Sequence, residues 1–273
     1  MPTVSAVLPA SLETQLREAA ARRGGSVDSV VNAALEAYLG GRDHRLYQIS
    51  TSTALVEGVY AGAVSSATLL DHGDFGLGTF ANLDGEMVIV DGAIYQCRAD
   101  GSVTRRDDAQ EVPFAVATRF HADTTFEVGP VASLAELERA CDPHRESDNL
   151  FYALRIDGRF ERVHARAVGA TRAPARFVDV ASQQTERRFA DTEGTLVGFW
   201  SPVYASTFSV PGYHLHFLSR DRRQGGHVLD CRAASLRVEL QLLHEYDVRL
   251  PDRGAFLTRD LSHDPASDLA RTE

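Results

Sequence analysis

The chain has 273 residues, of which 44% are hydrophobic and 24% charged, and its formal net charge is −10. This composition is typical of a globular, core-forming protein, and the negative charge argues against broad electrostatic binding to nucleic acid or to anionic membranes. All 28 side chains counted as lysine or arginine are arginine, so Schiff-base chemistry through a lysine is excluded and carbonyl activation needs a metal or hydrogen-bond donors.

The sequence carries no mark of secretion or of membrane insertion. Cys97, Cys141 and Cys231 form no C-x-x-C pair, which favours a reducing compartment without a disulfide framework. The N-terminus lacks the pattern of a signal peptide, and no apolar run is long enough to cross a bilayer. We therefore expect a cytoplasmic protein with no membrane partner.

The first 43 residues predict a small strand–helix–helix module. TVSAVLP, residues 3–9, alternates like a short strand. A helix follows up to Gly24-Gly25, and Ser26 is placed to cap a second helix with a wide apolar stripe. A unit this small cannot bury that stripe alone, so we expect it to pair with a second copy or to dock on the main domain.

This module resembles the ribbon-helix-helix fold in the stretch LPASLETQLREAAARRGGSVDSVVNAALEAYL. Members of that fold that bind DNA insert a two-stranded ribbon from a dimer into the major groove. Here the outward ribbon positions Thr3, Ser5 and Val7 carry no basic side chain, and residues 1–45 hold five arginines against five acidic residues. Since DNA affinity needs a surplus of positive charge, a homodimer is favoured over DNA binding.

From Tyr47 onward the sequence is rich in predicted strands. MVIVDGAIYQCRADGSV predicts two strands around a turn at 91–92, and LFYALRIDGRFERVHARAV predicts two more around a turn at 157–158. Short helices are predicted over 52–58, 65–71 and 132–141, the last capped by Ser133. Phosphate loops and internal repeats are absent from the sequence. Residues 44–273 are therefore predicted as an α+β domain of mostly antiparallel or mixed sheets that does not bind nucleotides.

Three histidines lie close together in GYHLHFLSRDRRQGGHVLD, residues 212–230. His214 and His216 are two apart in a predicted strand and so point to the same face. SRDRRQGG is a suitable hairpin connection, which returns His227 to the neighbouring strand. Cross-strand neighbours lie about 5 Å apart at Cβ and a zinc–imidazole bond is about 2.0–2.1 Å long, so the three imidazoles can meet at one ion.

Two other interpretations of these histidines are open. Hairpin histidines are often surface residues or hydrogen-bonded core donors, and a cupin-like metal site also begins with H-x-H. The third histidine after a Gly-Gly pair favours a metal, and no acidic residue follows at the short spacing of cupins. Three protein ligands leave a coordination position open, as in catalytic zinc sites. His72, in DHGDFG, is interpreted as a loop residue rather than a fourth ligand.

Four longer motifs, HGDFGLGTFANLDGEM, NLFYALRIDG, GTLVGFWSPVYA and GYHLHFL…GGHVLD, together resemble acetolactate decarboxylase. They occur in sequence order with ordinary spacing between Tyr47 and Glu273. The resemblance implies conversion of 2-acetolactate to (R)-acetoin and carbon dioxide, a step of acetoin biosynthesis and of the butanediol pathway, with a zinc ion as cofactor.

The resemblance also implies a role for individual residues. It places the zinc on the histidines of H-L-H and G-G-H, which are His214, His216 and His227. It places functional glutamates at Glu86, in L-D-G-E, and at Glu273, in ARTE. It also implies a substrate-facing threonine at Thr79, in G-T-F, and a functional arginine at Arg166, in VHARAV.

These residue types suit the implied chemistry. Loss of carbon dioxide from acetolactate leaves electrons that must flow onto the ketone oxygen as an enediolate, and without lysine a Lewis acid is the natural acceptor. Arg166 can hold the carboxylate or an enediolate oxygen through its planar fork of donors. Glu86 or Glu273 can deliver a proton to one face, which sets the handedness of the product; the sequence does not decide between them.

Two alternatives stay open at this stage. One is a regulator whose N-terminal module binds DNA while the decarboxylase-like domain senses a metabolite. The other is a metal-dependent enzyme that acts on another 2-hydroxy-3-keto acid with the same site. Retention of Glu86, Thr79 and Arg166 beside three histidines favours turnover over sensing, because a sensor needs binding but no acid–base pair.

Overall fold

The computed structural model describes residues 5–23, 26–38, 44–62, 64–107, 109–171 and 175–272. The chain divides into two compact units, Met1–Asp43 and His44–Glu273. Among the described residues, none of the helices combines the length and the apolar composition that a membrane span requires.

The described part of the first unit contains two helices, α1 Ala10–Arg23 and α2 Val27–Tyr38. Ser26 caps α2, because its Oγ accepts a hydrogen bond from the backbone N–H of Ser29 at 3.1 Å. The predicted strand over 3–9 is not formed over residues 5–9, and Thr3 lies outside the described residues. A strand needs a hydrogen-bonded neighbour, which a ribbon of the ribbon-helix-helix kind takes from a second chain. The ribbon therefore stays a prediction.

The helices of the second unit are short. They are α3 Ser52–Val56, α4 Ser66–His72, α5 Leu134–Cys141, α6 Phe177–Ala181 and α7 Ala266–Thr272. The helices predicted over 52–58, 65–71 and 132–141 are confirmed. At the third, the Oγ of Ser133 accepts from the backbone N–H of Glu136 at 3.3 Å, which satisfies one of the free donors at a helix start.

The strands of this unit are β1 Arg45–Ile49, β2 Val64–Ser65, β3 Phe75–Thr79, β4 Glu86–Val90, β5 Ala93–Cys97, β6 Val103–Arg105, β7 Glu111–Val112, β8 Phe114–Thr118, β9 Thr124–Val128, β10 Phe151–Ala167, β11 Thr185–Ser201, β12 Gly212–Ser219, β13 Gly225–Leu243 and β14 Glu245–Arg249. One sheet has the order β14-β1-β8-β3-β4-β5-β6, a second has the order β10-β11-β12-β13-β9, and β2 pairs with β7. Only β1 and β14 pair in parallel among the described strands. The predicted α+β class with mostly antiparallel sheets is confirmed.

The second sheet places the histidine hairpin beside a long central strand. β10 pairs along its length with both β11 and β13, while the short β12 also pairs with β11 and β13. The four strands therefore form a closed ring of pairings. Side chains from both sheets pack together in one apolar cluster, which includes Leu77 and Val88 from the first sheet and Val197 and Phe199 from the second.

One predicted hairpin is wrong and another is confirmed. The turn predicted at 157–158 lies inside the single strand β10. A Cβ at Gly158 would lie 2.6 Å from the Leu236 side chain of β13, so the glycine allows close packing rather than a turn. The turn at 91–92 is real: Asp91 and Gly92 both have positive φ, 54° and 71°, as a two-residue hairpin turn requires.

Candidate active site

The three histidines meet on one face of the second sheet. His216 on β12 is the direct cross-strand partner of His227 on β13, and His214 lies two residues before His216 on the same face. One ring nitrogen from each lies within 4.8 Å of the others. The Nε2 atoms of His214 and His216 are 3.2 Å apart. The hairpin therefore brings together the three histidines whose spacing in the sequence predicts a shared site.

This donor set fits a tetrahedral metal ion. Two nitrogens bound at 2.0–2.1 Å in tetrahedral geometry lie about 3.3 Å apart, close to the separation of the Nε2 atoms of His214 and His216. The Nδ1 of His216 is 2.8 Å from the backbone oxygen of Met87. If Nδ1 donates that bond, the Nε2 lone pair faces the other two histidines, the outer-sphere support that metal-binding histidines usually have. The three histidines can hold a metal ion.

Burial keeps these imidazoles neutral. It lowers the pKa of His214 to about 3, and the positive charge of Arg166 acts in the same direction. Burial also lowers the pKa of His216 and of His227 well below the ordinary value, with further lowering from Arg166 and the neighbouring imidazoles. Only a neutral imidazole offers a lone pair to a metal, so the three histidines can act as metal ligands at neutral pH without first losing a proton.

Glu86 reaches the histidines from the opposite sheet. It opens β4 directly after a turn in which Asn82, Leu83 and Gly85 all have positive φ. Its side chain is buried, with Oε2 3.6 Å from His216 Nε2. Its other oxygen, Oε1, lies 3.4 Å from Arg166 Nη1. One carboxylate thus stands between the histidine cluster and the buried guanidinium.

Arg166 lies in register with the histidines. It is the cross-strand partner of His227 through the pairing of β10 with β13, and it is 3% exposed. Besides the contact with Glu86, its Nη2 donates to the backbone oxygen of Thr272 at 2.8 Å. A guanidinium buried to this degree needs such partners, because an uncompensated buried charge is strongly destabilising.

Thr79 completes the polar side of the pocket. It is the cross-strand partner of Glu86 on β3, and its Oγ1 donates to the backbone oxygen of Gly85 at 2.8 Å. Because its proton is engaged there, the Thr79 hydroxyl faces the pocket as an acceptor. Thr79, Glu86, Arg166 and the three histidines all line one pocket. Glu273 lies outside the described residues.

The pocket also has an apolar wall. It is formed by Leu55, Leu83, Phe114, Val168, Phe177 and Val210, and all six are buried. Sequence reasoning misses these residues. They come from loops and turns, two helices and one strand, and each one alone has the pattern of an ordinary core residue, so no local signal marks them as pocket lining.

His72 takes no part in the histidine cluster. Its ring stacks on Tyr47 with centroids 3.7 Å apart and planes 3° from parallel. It ends α4 rather than lying in a loop. The aromatic contact explains its position without a ligand role.

The second unit matches known proteins over nearly its whole length. The sequence profile of the alpha-acetolactate decarboxylase family matches residues 46–263. An alpha-acetolactate decarboxylase from Methanosarcina mazei is 42% identical over 229 residues, 84% of this chain and 80% of the relative. Another from Raoultella terrigena is 42% identical over 223 residues, 81% and 86% of the two chains.

A solved structure shows the same fold. The crystal structure of alpha-acetolactate decarboxylase from Bacillus subtilis superposes with a TM-score of 0.81 at 36% identity, over 84% of this chain and 99% of that chain. The relatives are named as decarboxylases, so the regulator alternative is not favoured. The family profile spans the strands that carry the histidines, Glu86 and Arg166. This chain therefore belongs to the alpha-acetolactate decarboxylase family and is an enzyme of the carboxy-lyase class.

Proposed function

We propose that this enzyme converts 2-acetolactate to (R)-acetoin and carbon dioxide with a zinc ion held by His214, His216 and His227. The observation that carries the proposal is the convergence of these three neutral imidazoles with Glu86 and Arg166 in one buried pocket. When bound, zinc supplies a Lewis acid for the ketone oxygen of the substrate.

Arg166 is proposed to orient the substrate carboxylate and to stabilise the negative charge that develops on an oxygen. The sheet and the contacts with Glu86 and Thr272 help to fix its donors, so little reorganisation is needed when charge develops. Burial strengthens this effect, because charges interact more strongly in a site that excludes water.

Glu86 is proposed to deliver the proton that completes acetoin. Its Oε1 faces Arg166 and its Oε2 faces His216, so Oε2 is the oxygen on the side of the histidines. A proton held at Oε2 reaches the substrate carbon from one direction only, which accounts for a product of single handedness.

Glu273 is proposed as the second acid, on the resemblance of ARTE to the family's C-terminal motif. In the sequence it follows Thr272, whose backbone oxygen accepts a hydrogen bond from Arg166. Thr79 is proposed to accept a hydrogen bond from the hydroxyl of the substrate, because its own proton is donated to Gly85.

The apolar wall supports a small, partly apolar substrate. The substrate has two methyl groups, and apolar side chains such as Leu55, Phe114 and Val210 offer them a dry surface. In this arrangement the carboxylate, hydroxyl and ketone of the substrate lie on the polar side of the pocket, and the methyl groups lie against the apolar wall.

The first unit is proposed to be a dimerisation module of the ribbon-helix-helix kind, spanning residues 1–43. Leu12 of α1 and Leu35 of α2 are 42% and 47% exposed in the single chain. A second copy would cover them. The equal numbers of arginine and acidic residues in 1–45 disfavour DNA as the partner.

The test is an assay of zinc-loaded protein with racemic acetolactate, in which acetoin is measured. His216→Ala is expected to abolish both zinc binding and acetoin formation. His72→Ala is the matched control, since His72 stacks on Tyr47 outside the cluster, and it is expected to keep both. Full activity of the His216 variant would contradict the metal assignment, and an inactive wild type would contradict the reaction.

A further inference from the structure

The C-terminal helix α7 touches the catalytic arginine through its main chain. The backbone oxygen of Thr272, in the last turn of α7, accepts from Arg166 Nη2 at 2.8 Å. The other terminal nitrogen of the same guanidinium, Nη1, lies 3.4 Å from Glu86 Oε1. Thr272 is buried, and its Oγ1 is tied back to the backbone oxygens of Asp268 and Leu269. One hydrogen bond that orients Arg166 is therefore set by where α7 ends.

An ion pair fixes the start of α7 to the rest of the unit. Asp268 Oδ2 accepts from Arg176 Nη2 at 2.8 Å, and the same Nη2 donates to Glu57 Oε1 at 3.0 Å. Arg176 immediately precedes α6, and Glu57 immediately follows α3. His263 Nε2 lies 3.4 Å from the same oxygen of Asp268. Arg176 thus ties three short helices together at one point.

The helix also touches the pocket wall. Leu269 of α7 is 2% exposed and packs in a small cluster with Val56 and Val210, and Val210 lines the pocket. A shift of α7 would therefore move both a hydrogen-bond acceptor of Arg166 and a neighbour of the apolar wall.

We propose that Arg176 and Asp268 are positioning residues, which hold α7 so that the Thr272 oxygen sets the direction of the Arg166 guanidinium. This inference rests on the proposed function of Arg166. Neither residue lines the pocket among the described residues, so both act through Arg166 and not by contact with substrate.

The pair is expected to affect rate more than stability. The Arg176 side chain is 43% exposed and keeps Glu57 as a partner when Asp268 loses its charge, so no charge is left both buried and unpaired. A displacement of about 1 Å in a group that orients substrate, however, can cost about 10²-fold in rate. A partial displacement of Arg166 is expected to lower kcat about tenfold.

Asp268→Asn tests the proposal, since it keeps the shape and removes the charge. We expect kcat to fall about tenfold, with zinc affinity and the thermal midpoint nearly unchanged. Arg176→Gln should give the same loss, and the double variant should be no slower than either single variant. Asp230→Asn is the matched control, because Asp230 also joins an arginine, Arg162, to a helix start at Leu134; its kcat should not change.

The Arg166→Lys background separates positioning from a general structural role. A lysine lacks the planar fork of donors with which Arg166 contacts both Glu86 and the Thr272 oxygen, so it cannot be oriented by α7 in the same way. In this background Asp268→Asn should lower kcat less than about twofold, against about tenfold in the wild type. Equal losses in both backgrounds, or an active wild type unaffected by Asp268→Asn, would overturn the inference. An inactive wild type would instead overturn the proposed function on which it rests.

Discussion

At the scale of single residues, burial determines what the three histidines can do. Exposed histidines are protonated for part of the physiological pH range, whereas here desolvation holds the pKa of His214 at about 3. Because Arg166 and Glu86 are also buried, the charge of each one is stabilised by the other. Each residue of the site therefore takes its chemistry from the sheets around it.

The metal-free protein should lose stability as the pH falls below about 6.5, the ordinary pKa of histidine. The unfolded chain binds a proton at His214 there, while the folded chain does not until about pH 3. His214 therefore leaves the free energy of unfolding unchanged above about pH 6.5 and lowers it progressively as the pH falls from there to about 3. Urea midpoints at pH 7 and pH 5 measure it, and His214→Gln should show a smaller difference between the two midpoints. An equal difference in both proteins would contradict the assignment.

Glu86→Gln should lower acetoin formation about 10²- to 10⁴-fold, the usual contribution of a general acid. The variant keeps the shape of the side chain and the histidines, so zinc binding measured by calorimetry should persist. Glu186→Gln is the control, because Glu186 lies at the exposed end of β11 and pairs with His164 of β10. The rate of this variant should match that of the wild type. A Glu86 variant of normal rate would exclude this residue as the proton donor.

The sequence predicts the polar residues of the pocket better than its apolar wall. The spacing of His214 and His216 by itself indicates a shared face, and the glycine pair 225–226 indicates the return of His227. Phe177 and Val210 carry no such mark, because they become lining only when segments far apart in sequence fold together. The Arg176–Asp268 pair is hidden for the same reason.

At the scale of elements, the turn before β4 sets the direction of Glu86. Gly85 has φ of +86°, and a Cβ there would lie 2.4 Å from the backbone oxygen of Cys97. Two-residue turns are predictable from sequence, as at 91–92, because their backbone requirement is local. The turn prediction at 157–158 is wrong because its glycine serves close packing against Leu236, a contact that local sequence does not reveal.

Gly85→Ala should destabilise the protein and lower activity, since strain of about 1–3 kcal/mol adds to a clash with backbone. Gly92→Ala is the matched control: its φ of +71° is also positive, but nothing lies within 4 Å of the new Cβ. It should cost about 1–2 kcal/mol and leave the rate unchanged. Urea unfolding and the acetoin assay measure both effects. Equal losses in the two variants would show that the contact with Cys97 is unimportant.

At the scale of the whole molecule, two units have separate tasks in the proposal. The second unit holds the site within a pair of packed sheets, and its relatives have the same fold. The α+β class follows from the alternation of short strands and turns. The pairing of β10 with both β11 and β13 does not, because long-range strand order leaves no trace in local sequence.

The full chain should be a dimer by analytical ultracentrifugation, and Leu35→Glu should weaken that dimer because it places a charge on the apolar side of α2. The rate of acetoin formation per chain should stay the same. Leu70→Glu is the control, since Leu70 is an exposed leucine of α4 in the second unit. Dissociation by Leu70→Glu and not by Leu35→Glu would place the interface elsewhere.

A zinc titration of metal-free protein in the presence of acetolactate tests directly whether the three histidines hold a catalytic zinc ion. Bound metal and acetoin are measured in the same samples. We expect no acetoin before zinc is added, and a rate that rises in proportion to bound zinc up to one ion per chain. Full turnover by the metal-free chain, or saturation of the histidines with zinc and no acetoin, would contradict a zinc-dependent decarboxylation at this site.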